Sequence, residues 1–193
     1  MALVVVAYLP LWDGSFIWDD DLNITGNPHV QGGWEGLLRL WEGDSTDFYP
    51  LTWTLFWLEW HAWGPQPLDY HLTNVALHAT GVILVWRILV RLDVPAAWLG
   101  AGLFALQPVN VASVAWITEG KNTLSLVFGA ASALAFLRWR DGEQGYGLSL
   151  ALYTAALLSK ASVIPLPAVL GVLIWWKRGW MMEGARGKAS APM

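Results

Sequence analysis

Apolar and polar positions divide this chain into blocks, not into the finely mixed pattern of a soluble domain. Residues 2–11 form a first apolar run of about ten residues, half of what a bilayer-spanning helix needs. The run has neither the basic start nor the small-residue cleavage site of a signal peptide. It reads as the end of a membrane helix that begins upstream, or else as a short buried or interfacial segment. Residues 12–69 are polar and acidic, with two amphipathic stretches inside them. Trp34, Leu37, Leu38 and Trp41 recur at i, i+3, i+4, i+7, with Glu35, Arg39 and Glu42 turned away. Trp53, Phe56, Trp57 and Trp60 repeat that spacing. One-sided aromatic stripes on short helices predict segments lying along a membrane surface, or stripes packed onto the protein's own helices.

Five further apolar helices are predicted over residues 70–90, 95–106, 122–137, 145–158 and 163–176. Gln107-Pro108 ends the second of them and Lys177-Arg178 the last. The predicted fold is therefore an all-α integral membrane protein of about six transmembrane helices, occupying residues 1–178. Its first outer loop, residues 12–69, carries amphipathic surface helices. Residues 179–193 are small, polar and unpatterned, and read as a disordered tail.

Composition agrees with this pattern. Of 193 residues, 55% are hydrophobic and 13% charged, where a soluble domain carries about 25% charged residues. Fifteen tryptophans fit the lipid–headgroup boundary. Alternating passes put Arg87, Arg91, Arg138, Arg140, Lys177, Arg178, Arg186 and Lys188 on one side of the bilayer. By the positive-inside rule that side is cytoplasmic. The remaining basic residues, Arg39, Lys121 and Lys160, then share the non-cytoplasmic face with the acidic loop. The absence of cysteine excludes disulfides, thiol catalysis and Cys-bound zinc. No basic tract interleaved with aromatics suggests nucleic-acid binding.

Polar residues near lipid are costly unless solvated, paired or used. Asp19, Asp20 and Asp21 follow the first apolar run closely. A carboxylate there could take a proton from an acceptor hydroxyl or help to hold a divalent cation, or could simply begin an acidic loop. Adjacent residues point in different directions, so Asp19 and Asp20 are expected to differ in role. His71, Asn74 and His78 fall at i, i+3 and i+7 on one helical face, a polar stripe suited to hydrogen bonds inside a bundle more than to zinc. Glu119, Lys121 and Asn122 lie between two spans, with Lys160 similarly placed after the predicted 145–158 helix. Lysines at that level balance a lipid phosphate or a leaving group, or else snorkel to headgroups.

Five blocks occur in order: FIWDDDLNITGNP at 16–28, YPLT at 49–52, YHLTNVALH at 70–78, QPVNVASVAWITEGKN at 107–122 and LLSK at 157–160. Together they resemble the N-terminal membrane part of the tetratricopeptide-repeat O-mannosyltransferase-like proteins, of the GT-C superfamily. The resemblance covers about residues 1–178. It implies transfer of a sugar, of mannose type, from a polyprenyl-phosphate carrier to a protein or glycan hydroxyl acceptor outside the cytoplasm. Asp19 and Asp20 match the family's acidic pair and would hold its base. His71, Asn74, His78, Glu119, Lys121 and Lys160 would meet substrate. The resemblance implies a lipid-phosphate sugar donor and decides nothing about a metal. The chain departs from the family pattern at Gln107, Asn110 and Ala112, where relatives carry His, His and Glu, and at Gly120, where they carry Arg. It also lacks the later helices and repeats, so it reads as a truncated and partly degenerate relative. The alternative is a non-catalytic membrane module that binds a lipid or a partner; a transporter-like bundle lacks the broken helix pairs it would need.

Overall fold

The computed structural model describes residues 2–44 and 47–189, with side chains for residues 4–44 and 47–177. Among these the chain is helical throughout, without strands. It divides into two compact units, Met1–Val163 and Ile164–Met193.

In the first unit, α1 (Ala2–Ala7) is followed by a short 3-10 turn, Leu9–Asp13. A single π-turn, Asp21–Thr25, leads to α2 (Pro28–Gln31), whose first amides are capped by the Asn27 side chain. Next comes α3 (Trp34–Glu42), which ends where Gly43 adopts the left-handed conformation at φ 91° and lets the chain reverse. It is followed by α4 (Pro50–Trp63). These loop helices bury a core built from Ile24, Val30, Leu40, Trp53 and Phe56, which Tyr70 and Ile117 complete from outside the loop.

The two aromatic stripes have opposite fates. Trp34, Leu38 and Trp41 stay on the outer face of α3, Trp34 being 73% exposed, while Gly36 and Leu40 turn inward. Trp53 is only 5% exposed, and Phe56 and Trp57 are buried with it. Their indole groups are held within the loop, Trp53 Nε1 on the Asp47 carbonyl at 2.9 Å and Trp57 Nε1 on the Gly32 carbonyl at 2.7 Å. Of the two readings open for the α4 stripe, packing within the protein is the one seen: Trp53 and Phe56 belong to its core.

Among the described residues two helices are long and apolar enough to cross a membrane, α5 (Pro67–Arg91) and α8 (Gly120–Arg140). At 1.5 Å per residue they reach about 38 and 32 Å. The other apolar blocks of this unit form shorter helices: α6 (Ala97–Ala105), α7 (Asn110–Ala115) and α9 (Tyr146–Ser159). Small residues bring these elements close. Ala97, Ala101 and Ala105 form the buried stripe that α6 lays on α5. Between α8 and α9, Ser132 and Ser149 each donate a side-chain hydrogen bond to the other's carbonyl, at 2.8 and 3.0 Å. Arg91 at the end of α5 pairs with Asp141 at 3.0 Å and with Glu143, tying that helix end to the turn after α8.

The second unit contains α10 (Leu166–Ala189). This helix continues past Gly179, where the sequence reading starts an unstructured tail; residues 190–193 of that tail lie outside the described residues.

Candidate functional site

The site is built where the loop after α1 meets the turn before α8. Trp18 adopts φ 53°, a left-handed conformation that a large side chain rarely takes. Asp19 and Asp20 follow it directly and point to different places. Asp20 is fully buried, and its two carboxylate oxygens accept the backbone amides of Ile17 at 3.0 Å and Thr118 at 2.8 Å. Asp19 is half-buried and accepts from Thr118 Oγ1 at 3.0 Å and from Asn23 Nδ2 at 3.2 Å. Thr118 thus contacts both carboxylates, through its amide and its hydroxyl. Burial, with the charge of Asp19 beside it, keeps the Asp20 carboxyl above the ordinary range against the pull of its amide donors.

The turn at 116–120 is gripped from the other side by α5. Asn74 Nδ2 lies 3.2 Å from the carbonyls of Trp116 and Ile117. Gly120 makes this possible, because a Cβ there would stand 2.5 Å from Asn74 Oδ1.

Immediately beyond, Glu119 accepts Lys121 at 2.9 Å and Lys160 at 3.5 Å. Asn122 donates to Glu119 and to Ser113 Oγ, and accepts from Lys160. Lys160 is brought in by the end of α9, where Thr52 of α4 donates to the Ser159 carbonyl at 2.8 Å. Burial pushes the Glu119 carboxyl up, but the two lysines and Asn122 together hold it below the usual range. Two cations against one carboxylate leave the cluster with a net positive charge.

A cavity of about 520 Å³ opens between these groups and the start of α4. Asp19, Asn23, Thr118 and Lys121 line it, together with Asp47, Tyr49, Thr52 and Trp53. Asp19 and Lys121 are therefore a carboxylate and an ammonium facing one space. Among the described residues no group of three or more His, Asp or Glu could hold a metal ion.

Of the residues singled out from sequence, Asp19 and Lys121 line this cavity, and Glu119 and Lys160 join the cluster behind Lys121. Asp20 lies beneath, within electrostatic reach of His71. His71 is buried, and neither ring nitrogen completes a hydrogen bond of good geometry, although the Ala115 backbone is near. Asn74 acts on backbone carbonyls. His78 sits apart, its Nε2 3.1 Å from the Ala105 carbonyl and its ring edge-on to Tyr8, where it anchors the end of α6. Sequence reasoning missed Thr118 and Asn23, although both lie inside the quoted motifs. It also missed Glu59, a carboxyl 4% exposed on the buried side of α4, which burial pushes up to about 8. The signal was there: an acid framed by Trp57, Leu58 and Trp60.

No protein-family model matches the chain, and no solved structure matches it. Among curated proteins, it is 33% identical over 84% of its length to protein O-mannosyl-transferase Tmtc1 of Drosophila melanogaster. It is 24% identical over 90% of its length to protein O-mannosyl-transferase F38B6.6 of Caenorhabditis elegans, and 26% identical over 90% to protein O-mannosyl-transferase TMTC4 of Homo sapiens. The chain spans 21%, 27% and 28% of those relatives, respectively. Matches of this extent make the chain a homologue of the protein O-mannosyl-transferases, the family that its ordered motifs resemble.

Proposed function

We propose that this chain carries the acceptor-activating part of a GT-C-type mannosyl-transferase site. The observation behind this reading is that Asp19 and Lys121 share one cavity while Thr118 and Asn23 fix the Asp19 carboxylate. Asp19 is the general base: it takes the proton of an acceptor hydroxyl as that oxygen attacks the anomeric carbon of a mannosyl group. The bond from that carbon to the phosphate of a polyprenyl carrier breaks, and the leaving phosphate keeps the electron pair. Lys121 and Lys160 offset the negative charge that develops there. Asp20, whose oxygens are both occupied by backbone amides, positions Asp19 and takes no proton from substrate. The reading includes about six crossings of the bilayer. In it α1, α6 together with α7, α9 and α10 supply the crossings besides α5 and α8, and the acidic loop lies on the non-cytoplasmic side.

A second reading has its own observation. Where the family pattern has His, His and Glu, this chain has Gln107, Asn110 and Ala112, and the Asn110 amide is bonded to the Phe104 carbonyl. A module with the same charges could bind a lipid phosphate without turnover. One experiment separates the two. The chain is reconstituted in liposomes with polyprenyl-phosphate mannose and a hydroxyl-bearing acceptor peptide, and both transfer and donor retention are measured. General-base action contributes roughly 10²–10⁴-fold, so Asp19→Asn is expected to lower transfer by that factor while donor binding survives. Full transfer by Asp19→Asn would refute the base assignment. Donor binding that weakens in Lys160→Ala, without transfer by the unaltered chain, would establish the second reading.

A further inference from the structure

Away from the residues of the site, an apolar cavity of about 610 Å³ lies between α5 and α6. Val82, Ile83, Leu99, Gly102, Leu103 and Leu106 line it, with Val4 of α1 at one edge. Trp86 and Trp98 line the end where α5 leads into α6, and they remain 44% and 70% exposed. We propose that this groove binds one anionic diacyl phospholipid of the surrounding bilayer, with an acyl chain along its apolar length and the phosphate at Arg87.

Three observations support this occupant. The groove lies against α5, a helix long and apolar enough to cross a membrane, and within a bilayer an apolar groove is filled by hydrocarbon and not by water. The tryptophans collect at one end only, the arrangement that marks the headgroup level, where an indole has one face in hydrocarbon and its N–H in the polar layer. At that same end Arg87 stands one turn beyond Ile83 on α5, at i+4 spacing. Arg87 is exposed and makes no ion pair among the described residues, whereas Arg91 one turn further is held by Asp141 and Glu143. An unpaired guanidinium beside an apolar groove is complementary to a phosphate and presents a planar, bidentate donor set to it. Basic residues beside helix–helix grooves at one membrane face are a general means of selecting anionic lipids. The proposal does not depend on the transferase reading, since neither Asp19 nor either lysine takes part.

Gly102 supplies a clean test, because a Cβ at that position meets no atom within 4 Å and a side chain there enters the groove without displacing protein. The chain is purified from bilayers of equal phosphatidylglycerol and phosphatidylcholine, and its retained lipid is read by native mass spectrometry. The expected result is one phospholipid per chain, enriched in phosphatidylglycerol. Arg87→Gln is expected to keep the lipid but to lower that enrichment about fivefold, the weight of one arginine near a membrane surface. Gly102→Leu is expected to remove the lipid while the helical circular-dichroism signal is retained. Unchanged lipid retention in Gly102→Leu would overturn the groove as the site, and an unchanged lipid ratio in Arg87→Gln would overturn the phosphate contact. A dimer without lipid, broken by Gly102→Leu, would assign the groove to a second copy of the chain and overturn the proposal.

Discussion

Two adjacent aspartates are expected to fail in opposite ways when each is replaced by asparagine. At Asp20 both carboxylate oxygens accept backbone amides, from Ile17 and from Thr118, in a fully buried position. Hydrogen bonds to a charged group contribute about 1.5–3 kcal/mol each. Asparagine keeps one acceptor and turns an NH2 group toward the other amide, so one such bond is lost and two buried donors face each other. Loss of the bond together with part of the desolvation cost of an orphaned amide amounts to about 2–4 kcal/mol. For a chain of this size that corresponds to a fall in Tm of roughly 4–16 °C. At Asp19 the same substitution is mild. An asparagine oxygen still accepts from Thr118 Oγ1, and Asn23 can rotate its amide to present oxygen to the new NH2 group. The expected cost there is below about 1 kcal/mol. Thermal unfolding of the two variants in one detergent, with hydrogen exchange at the Thr118 amide, reads both effects. Asp20→Asn should lower Tm and deprotect Thr118, and Asp19→Asn should do neither. Equal Tm values, with Thr118 equally protected in both, would refute the division of the pair into an anchor and a cavity-facing group.

Two further outcomes are expected. Glu59 is protonated in the fold up to about pH 8 against an ordinary 4.5, so the native state holds a proton that the unfolded chain has released. Its contribution is complete below about 4.5 and is lost as pH rises toward 8, with a slope of up to about 1.4 kcal/mol per pH unit; chemical unfolding across that range should show the slope in the unaltered chain and its absence in Glu59→Gln. For the aromatic stripes, brominated lipids should quench a fluorescence component that Trp34→Phe removes and Trp53→Phe leaves in place, and the reverse result would return the α4 stripe to the membrane surface.

What could be read from the sequence follows from what periodicity encodes. Spacing of i, i+3, i+4, i+7 tells which residues share a face, and both tryptophan stripes do share one. It does not tell whether an apolar face meets lipid or protein, because the two environments select the same side chains. Hence α3 turns its stripe outward and α4 buries its own. Length arguments identified α5 and α8 despite the polar stripe in α5, and the Gln107-Pro108 break marked the end of α6, which runs Ala97–Ala105 inside the expected 95–106. At the site, the motifs marked the residues but not their orientation. Which aspartate faces the cavity depends on the backbone path through residues 18–20 and on the partners that hold each carboxylate, which no residue pattern announces. The order of blocks along the chain also says nothing of contacts such as Thr118 with Asp19 and Asp20, made across about a hundred positions.

Gly120 shows how a departure from a family pattern acquires physical content only in three dimensions. In the sequence, the resemblance implies an arginine at this place, beside Glu119. In the fold, the absence of a Cβ lets Asn74 Oδ1 approach the chain at Gly120 while its Nδ2 reaches the Trp116 and Ile117 carbonyls. Any side chain at 120 would have to displace Asn74, and with it the grip that α5 keeps on the turn presenting Thr118. The glycine is therefore bound up with the geometry of the Asp19–Thr118–Asp20 contact itself. A chain with arginine at this place must hold the same turn by some other means.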